Sequence, residues 1–145
     1  EVFKTEFTNM GGNIVNFETY NTKETDFSAQ LTKIKANNPD VLFLPNYYNE
    51  VPLQVQQARK LGITAPIVGS DGWDNPELID LGGDLMNGGY FTTHYSPDNS
   101  SDATKWFIQE YQAKFKMTPD AAAALTYDAA NLIFQAIDIF SFLSF

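Results

Sequence analysis

Apolar positions change their spacing repeatedly along the chain, and the changes mark its elements. Val2, Phe3, Phe7 and Met10 recur at helical spacing from the first residues, with no N-cap signal ahead of them, and Gly11-Gly12 stops the run. The start therefore reads as a helix already under way. Ile14, Val15, Phe17 and Tyr20 fit a short strand, and the polar stretch 21–25 leads into a helix over about 26–37 with Phe27, Leu31 and Ile34 inward. Asn37-Asn38-Pro39-Asp40 ends that helix. Val41-Leu42-Phe43-Leu44 is a continuous apolar run between turn residues, the pattern of a strand covered on both faces of a parallel sheet. After a loop over 45–50, a helix runs to Leu61 and Gly62 stops it.

The same alternation continues. A short strand is expected over 66–68, a loop over 69–75, a short helix over 76–81, a strand over 89–93, a loop over 96–102 and a helix over about 103–116. In that helix Trp106, Phe107, Tyr111 and Phe115 supply a core face. A long Ala-rich helix follows over 120–138 and runs into an apolar tail, 139–145. Strands alternating with helices of roughly 10 to 15 residues predict a three-layer α/β fold with a mostly parallel sheet.

Composition limits what such a fold does. The 145 residues, 43% of them hydrophobic and 19% charged, suffice for one packed domain or lobe. Nine basic against 18 acidic side chains give a net charge of −9, which excludes a nucleic-acid partner because phosphate contacts need clustered Lys and Arg. No cysteine is present, so disulfides, thiolate metal sites and a Cys nucleophile are excluded. No run of about 18 apolar residues spans a bilayer.

In a parallel α/β sheet, ligands meet the loops at the carboxyl ends of the strands, which singles out 45–50 and 69–75. The first, Pro45-Asn46-Tyr47-Tyr48-Asn49-Glu50, offers aromatic faces, hydroxyls and an amide. Its bland reading is that the tyrosines cap the sheet edge. The second, Gly69-Ser70-Asp71-Gly72-Trp73-Asp74-Asn75, sets a carboxylate between two glycines and beside an indole. Asp71 there suits a ligand ammonium, with Trp73 or a tyrosine as a ring face for the cation. The competing role for Asp71 is an Asx turn, which Asp74 or Asn75 before Pro76 fits better. Tyr127, in the Ala-rich helix, is either a cleft residue or a core aromatic.

Catalytic and metal chemistry find less support. The sole histidine, His94, has no independent triad around it in the sequence, Asp71 and Asp74 lack calcium-loop spacing, and no phosphate-binding glycine motif occurs. No metal, cofactor or catalytic residue is assigned.

The ordered series Asp26-Phe27-Ser28, Pro39-Asp40-Val41, Tyr47-Tyr48-Asn49-Glu50, Gln57-Ala58-Arg59-Lys60-Leu61-Gly62, Gly69-Ser70-Asp71-Gly72-Trp73 and Tyr127-Asp128-Ala129 resembles the substrate-binding proteins of branched-chain amino-acid ABC transporters, of the type I periplasmic-binding fold. The resemblance covers residues 1–138, and the tail 139–145 departs from it. It implies a non-enzymatic component that closes two lobes on an amino acid, like a flytrap, and hands it to a membrane permease. This chain then corresponds to a partial C-terminal lobe plus a crossover helix. Asp71 matches the acid that takes the ligand ammonium, a tyrosine of the Tyr47-Tyr48 pair packs on or bonds that group, and Tyr127 lines the side-chain pocket. Asn46, Ser70 and Trp73 complete the candidate ligand set, and the ligand carboxylate falls to the other lobe.

The resemblance also implies a periplasmic or extracellular location, with a lipid anchor in a longer parent as one form, and apolar surface that favours self-association. A sheet of order 2-1-3-4-5 needs a central strand ahead of the first helix. That strand is missing from this sequence, so the expectation is an incomplete lobe, or a vacancy filled by another segment such as 138–145. A ligand sensor of the same fold is one alternative function. An α/β hydrolase or transferase using Asp71, Ser70 or His94 is the other.

Overall fold

The structure, a computed structural model, describes residues 1–99 and 101–143, with side chains as far as residue 140. These residues group into two compact units: 1–73 with 77–91, and 74–76 with the chain from Thr92 onward.

The first unit holds helix α1 (Val2–Asn9), α2 (Ser28–Ala36), strand β1 (Leu42–Leu44), α3 (Val51–Lys60), β2 (Ile67–Gly69), α4 (Glu77–Gly82) and β3 (Tyr90–Phe91). The strands form one parallel sheet in the order β1-β2-β3, with Leu42 opposite Ile67, Leu44 opposite Gly69 and Gly69 opposite Phe91. Strand alternation divides β1 between two faces. Leu42 and Leu44 are buried in a core with Phe27 and Leu31 of the α2 region, Val51, Val55 and Ala58 of α3, and Ile67, Trp73, Leu78 and Met86. Phe43 points the other way, where the Phe3 ring of α1 stacks on it at 3.9 Å. Helices thus cover both faces, as a parallel sheet demands. Gly62 ends α3 with φ +83°, a left-handed turn that lets the Ile63 N–H reach the Ala58 carbonyl at 3.0 Å.

Two expectations about strands are corrected. Residues 13–20 form no strand: their exposure alternates residue by residue, yet they pair with no neighbour among the described strands. The pattern of a strand is present, but the ladder it needs on its flank is not, and side contacts to α2 hold it instead, among them the 2.9 Å ion pair of Lys33 and Glu18. The tail does not fill the vacancy either. Helix α6 (Ala121–Leu143) carries 138–143 on as helix, because an unbroken apolar run with no Gly or Pro has nothing to stop it. The last two residues of that expectation lie outside the described part.

The second unit contains α5 (Asp102–Phe115) and α6. Ser101 caps α5, its hydroxyl accepting from the Thr104 N–H at 3.1 Å. The expected core face of α5 is found only in part: Phe107 and Tyr111 are half-buried among other rings, whereas Trp106 and Phe115 are exposed. Trp106 is 52% exposed, no residue of α5 is fully buried, and Phe107 lies 5.8 Å from Tyr111 and 4.9 Å from Tyr127 between ring centres.

Candidate functional site

The site is built where β1 and β2 end side by side. Because Leu44 is registered with Gly69, the loops that follow the two strands emerge at the same level of the sheet. After β1 the chain turns through Asn46, Tyr47 and Tyr48 into α3. The Tyr47 carbonyl accepts from the Glu50 and Val51 N–H groups at 3.0 and 3.2 Å, so the first turn of α3 fixes where Tyr47 sits. After β2, residues 71–73 form one turn of 3₁₀ helix, closed by the Trp73 N–H on the Ser70 carbonyl at 3.1 Å.

One backbone bond joins the two loops: the Tyr48 N–H donates to the Gly72 carbonyl at 2.9 Å. The approach is close enough that a Cβ on Gly72 would stand 3.0 Å from the Asn46 carbonyl oxygen and 3.1 Å from Cδ1 of Tyr47. The Tyr47 ring therefore lies against the backbone next to Asp71. Tyr47 is 68% exposed and Asp71 is exposed as well, whereas Tyr48 is half-buried and packs on the core. A phenol and a carboxylate stand together on open surface at the ends of adjacent strands.

The remaining candidates divide. Trp73 is a correction: it is 1% exposed, its Nε1–H donates to the Leu44 carbonyl at 3.0 Å, and its ring occupies the space that a side chain at position 69 would need. The indole is a wedge between β1 and the 3₁₀ turn and presents no face to a ligand. Ser70 is half-buried and contributes its carbonyl to that turn. The Asn46 carboxamide is directed into the protein, its Nδ2 donating to Gln54 Oε1 at 2.6 Å. Tyr127 belongs to the second unit, where its ring packs 6.1 Å from Trp106 and beside a shallow depression lined by Asp128, Asn131 and Leu132.

Sequence reasoning passed over the groups beneath the loop. Gln54 is 3% exposed, and Tyr20 donates its hydroxyl to Glu50 Oε2 at 2.7 Å. Burial, and then the Glu50 carboxylate, push the Tyr20 phenol above its ordinary value, while the Gln54 and Asn46 amides act the other way. The signal was available, since Gln54 is a polar residue on the stripe of α3 that buries Val51, Val55 and Ala58. Among the described residues no cluster of three or more His, Asp or Glu could hold a metal, and no helix is long and apolar enough to cross a membrane.

The profile of the periplasmic binding protein family matches residues 1–139. The chain belongs to that family. Its sequence is 37% identical over 110 residues to the Leu/Ile/Val-binding protein BraC3 of Rhizobium johnstonii, covering 76% of this chain and 25% of that protein. The crystal structure of the leucine binding protein LivK from Thermotoga maritima superposes with a TM-score of 0.88 at 40% identity, over 94% of this chain and 39% of that one. The branched-chain amino acid substrate binding protein LivJ from Streptococcus pneumoniae, solved in complex with isoleucine, superposes at 0.81 with 37% identity, over 90% of this chain and 38% of that one. This periplasmic-binding-family chain thus spans between a quarter and two fifths of those relatives. The type I fold and the branched-chain amino-acid binding family implied by the motif series are both found.

Proposed function

We propose that the chain supplies one half of an amino-acid site, in the substrate-binding component of a branched-chain amino-acid ABC transporter. Asp71 takes the ligand ammonium and Tyr47 packs its ring or sets its hydroxyl against the same group. The observation that carries this reading is the Tyr48–Gly72 backbone bond, which holds an exposed carboxylate loop and an exposed phenol loop together at the carboxyl ends of β1 and β2. A charge-assisted hydrogen bond and a cation on a ring face are the two contacts an ammonium rewards most. The leucine- and isoleucine-binding relatives support a branched-chain ligand. Tyr127 is proposed for the side-chain pocket, and the ligand carboxylate for residues beyond this chain. The protein works outside the cytoplasmic membrane, free or lipid-anchored, and delivers its ligand to a permease when the two lobes close.

Calorimetry of L-isoleucine with the full-length protein that carries this chain tests the reading. Loss of a charge-assisted bond of about 1.5–3 kcal/mol predicts an affinity about 10- to 100-fold weaker in Asp71→Ala. Unchanged affinity in that variant refutes the assignment of Asp71.

A further inference from the structure

The Tyr47–Tyr48 loop is fastened on two sides. One side is the Gly72 carbonyl. The other is a polar stripe made of Glu50, the N-cap of α3, with Gln54 and Gln57 on the helix itself, residues spaced so that they share one face. Each takes a partner outside α3. Glu50 accepts from the Tyr20 hydroxyl at 2.7 Å, and Gln54 accepts from the Asn46 carboxamide at 2.6 Å. Gln57 Oε1 accepts from the Phe27 N–H at 2.7 Å while its Nε2 donates to the Thr25 carbonyl at 2.8 Å.

Gln57 thus serves the loop ahead of α2, but Gln54 serves the residue directly before Tyr47. It does so from a nearly sealed position, where an amide is costly unless it is paired. An apolar residue of equal length would fill that position with no desolvation cost, so the amide there has a use other than packing.

We infer that Gln54 is a positioning residue for the Tyr47–Tyr48 loop, fixing its place against Gly72 by holding the Asn46 carboxamide, with the Tyr20–Glu50 pair as a second anchor. As a contribution to affinity this rests on the proposed ligand role of Tyr47. As a statement about the loop it does not. Asn46 accordingly acts from behind the loop and not as a ligand contact.

The test uses the full-length protein that carries this chain, labelled with 3-fluorotyrosine, and records ¹⁹F spectra without added amino acid; Tyr→Phe variants assign the signals. Gln54→Met keeps the side-chain length and removes the acceptor, and is expected to shift or broaden the Tyr47 and Tyr48 signals. Gln54→Glu keeps an acceptor oxygen in either protonation state and is expected to restore them. Tyr20→Phe deletes one oxygen while leaving the ring's edge-on contact with Phe27, and is expected to broaden the Tyr47 signal. Both tyrosine signals unchanged in Gln54→Met and in Tyr20→Phe overturns the inference.

Titration with L-isoleucine then measures the consequence: an affinity about tenfold weaker in Gln54→Met, the equivalent of one ordinary hydrogen bond, and recovered in Gln54→Glu. A loss that Gln54→Glu does not recover assigns the effect to packing and overturns the positioning role. Full affinity in Asp71→Ala defeats the ligand reading alone, since the ligand-free spectra judge the loop by themselves.

Discussion

The Tyr48 N–H and the Gly72 carbonyl, 2.9 Å apart, tie together two loops that follow neighbouring parallel strands. Parallel neighbours share no hairpin, so no short covalent connection keeps their loops together, and this hydrogen bond does so instead. Gly72 is the residue that lets it form, because its missing side chain admits the Asn46 carbonyl and the Tyr47 ring.

Gly72→Ala is therefore expected to part the loops. A backbone carbonyl 3.0 Å from the new Cβ cannot swing aside as a flexible side-chain end does, so overpacking costs about 1–3 kcal/mol of stability. Isoleucine binding by the full-length protein is expected to weaken beyond what the stability loss explains. Melting and calorimetry together check this, and wild-type affinity in a folded Gly72→Ala protein contradicts it.

Trp73 carries a separate, structural expectation. Trp73→Phe removes the donor to the Leu44 carbonyl in a buried place and costs about 1–3 kcal/mol. Trp73→Ala adds a cavity beside β2, for a loss of about 3–5 kcal/mol. Denaturant unfolding measures both, and isoleucine affinity in the folded Trp73→Phe protein should remain near wild type. A large affinity loss with little loss of stability would return Trp73 to the ligand set.

Trp73 shows how far the sequence was legible. The helices, the parallel sheet and the loops after β1 and β2 followed from local spacing, because helical periodicity and an apolar run such as 41–44 are properties of neighbouring residues. Trp73 was misread because its setting is not local: Gly69 opens the space for its ring, and the carbonyl it bonds belongs to Leu44, a strand away. Residues 13–20 failed for a related reason. Their alternation is real, but a strand exists only with a partner, and no described segment pairs with them. Gln54 was legible as a polar residue on a buried stripe, though its partner Asn46 was not.

At the start of α5 the expectation concerns stability alone. Ser101 accepts from the Thr104 N–H at 3.1 Å, so Ser101→Ala is expected to cost about 1 kcal/mol. Where exchange proceeds through local fraying, that loss speeds hydrogen exchange at the Thr104 amide about fivefold. NMR exchange rates check the outcome, and an unchanged rate at Thr104 would show that the cap contributes nothing.

Tyr20 provides a pH signature for the groups under the loop. Burial, then the bond to Glu50, raise its phenol above the ordinary value of 10.0, so the folded protein holds that proton more tightly than the unfolded chain does. Stability falls with pH wherever the unfolded state binds fewer protons. The Tyr20 contribution is thus complete below about pH 10 and drains away as pH climbs through the raised folded value. Tyr20→Phe lacks that titration, so the stability difference between wild type and variant is expected to shrink above about pH 10. Glu50→Gln removes part of the cause, so the same shrinkage should be smaller when measured in that background. Urea unfolding at a series of alkaline pH values, each variant against its own parent, checks both statements. A difference that stays constant across the series would mean that the Tyr20 phenol ionises alike in the folded and unfolded chain.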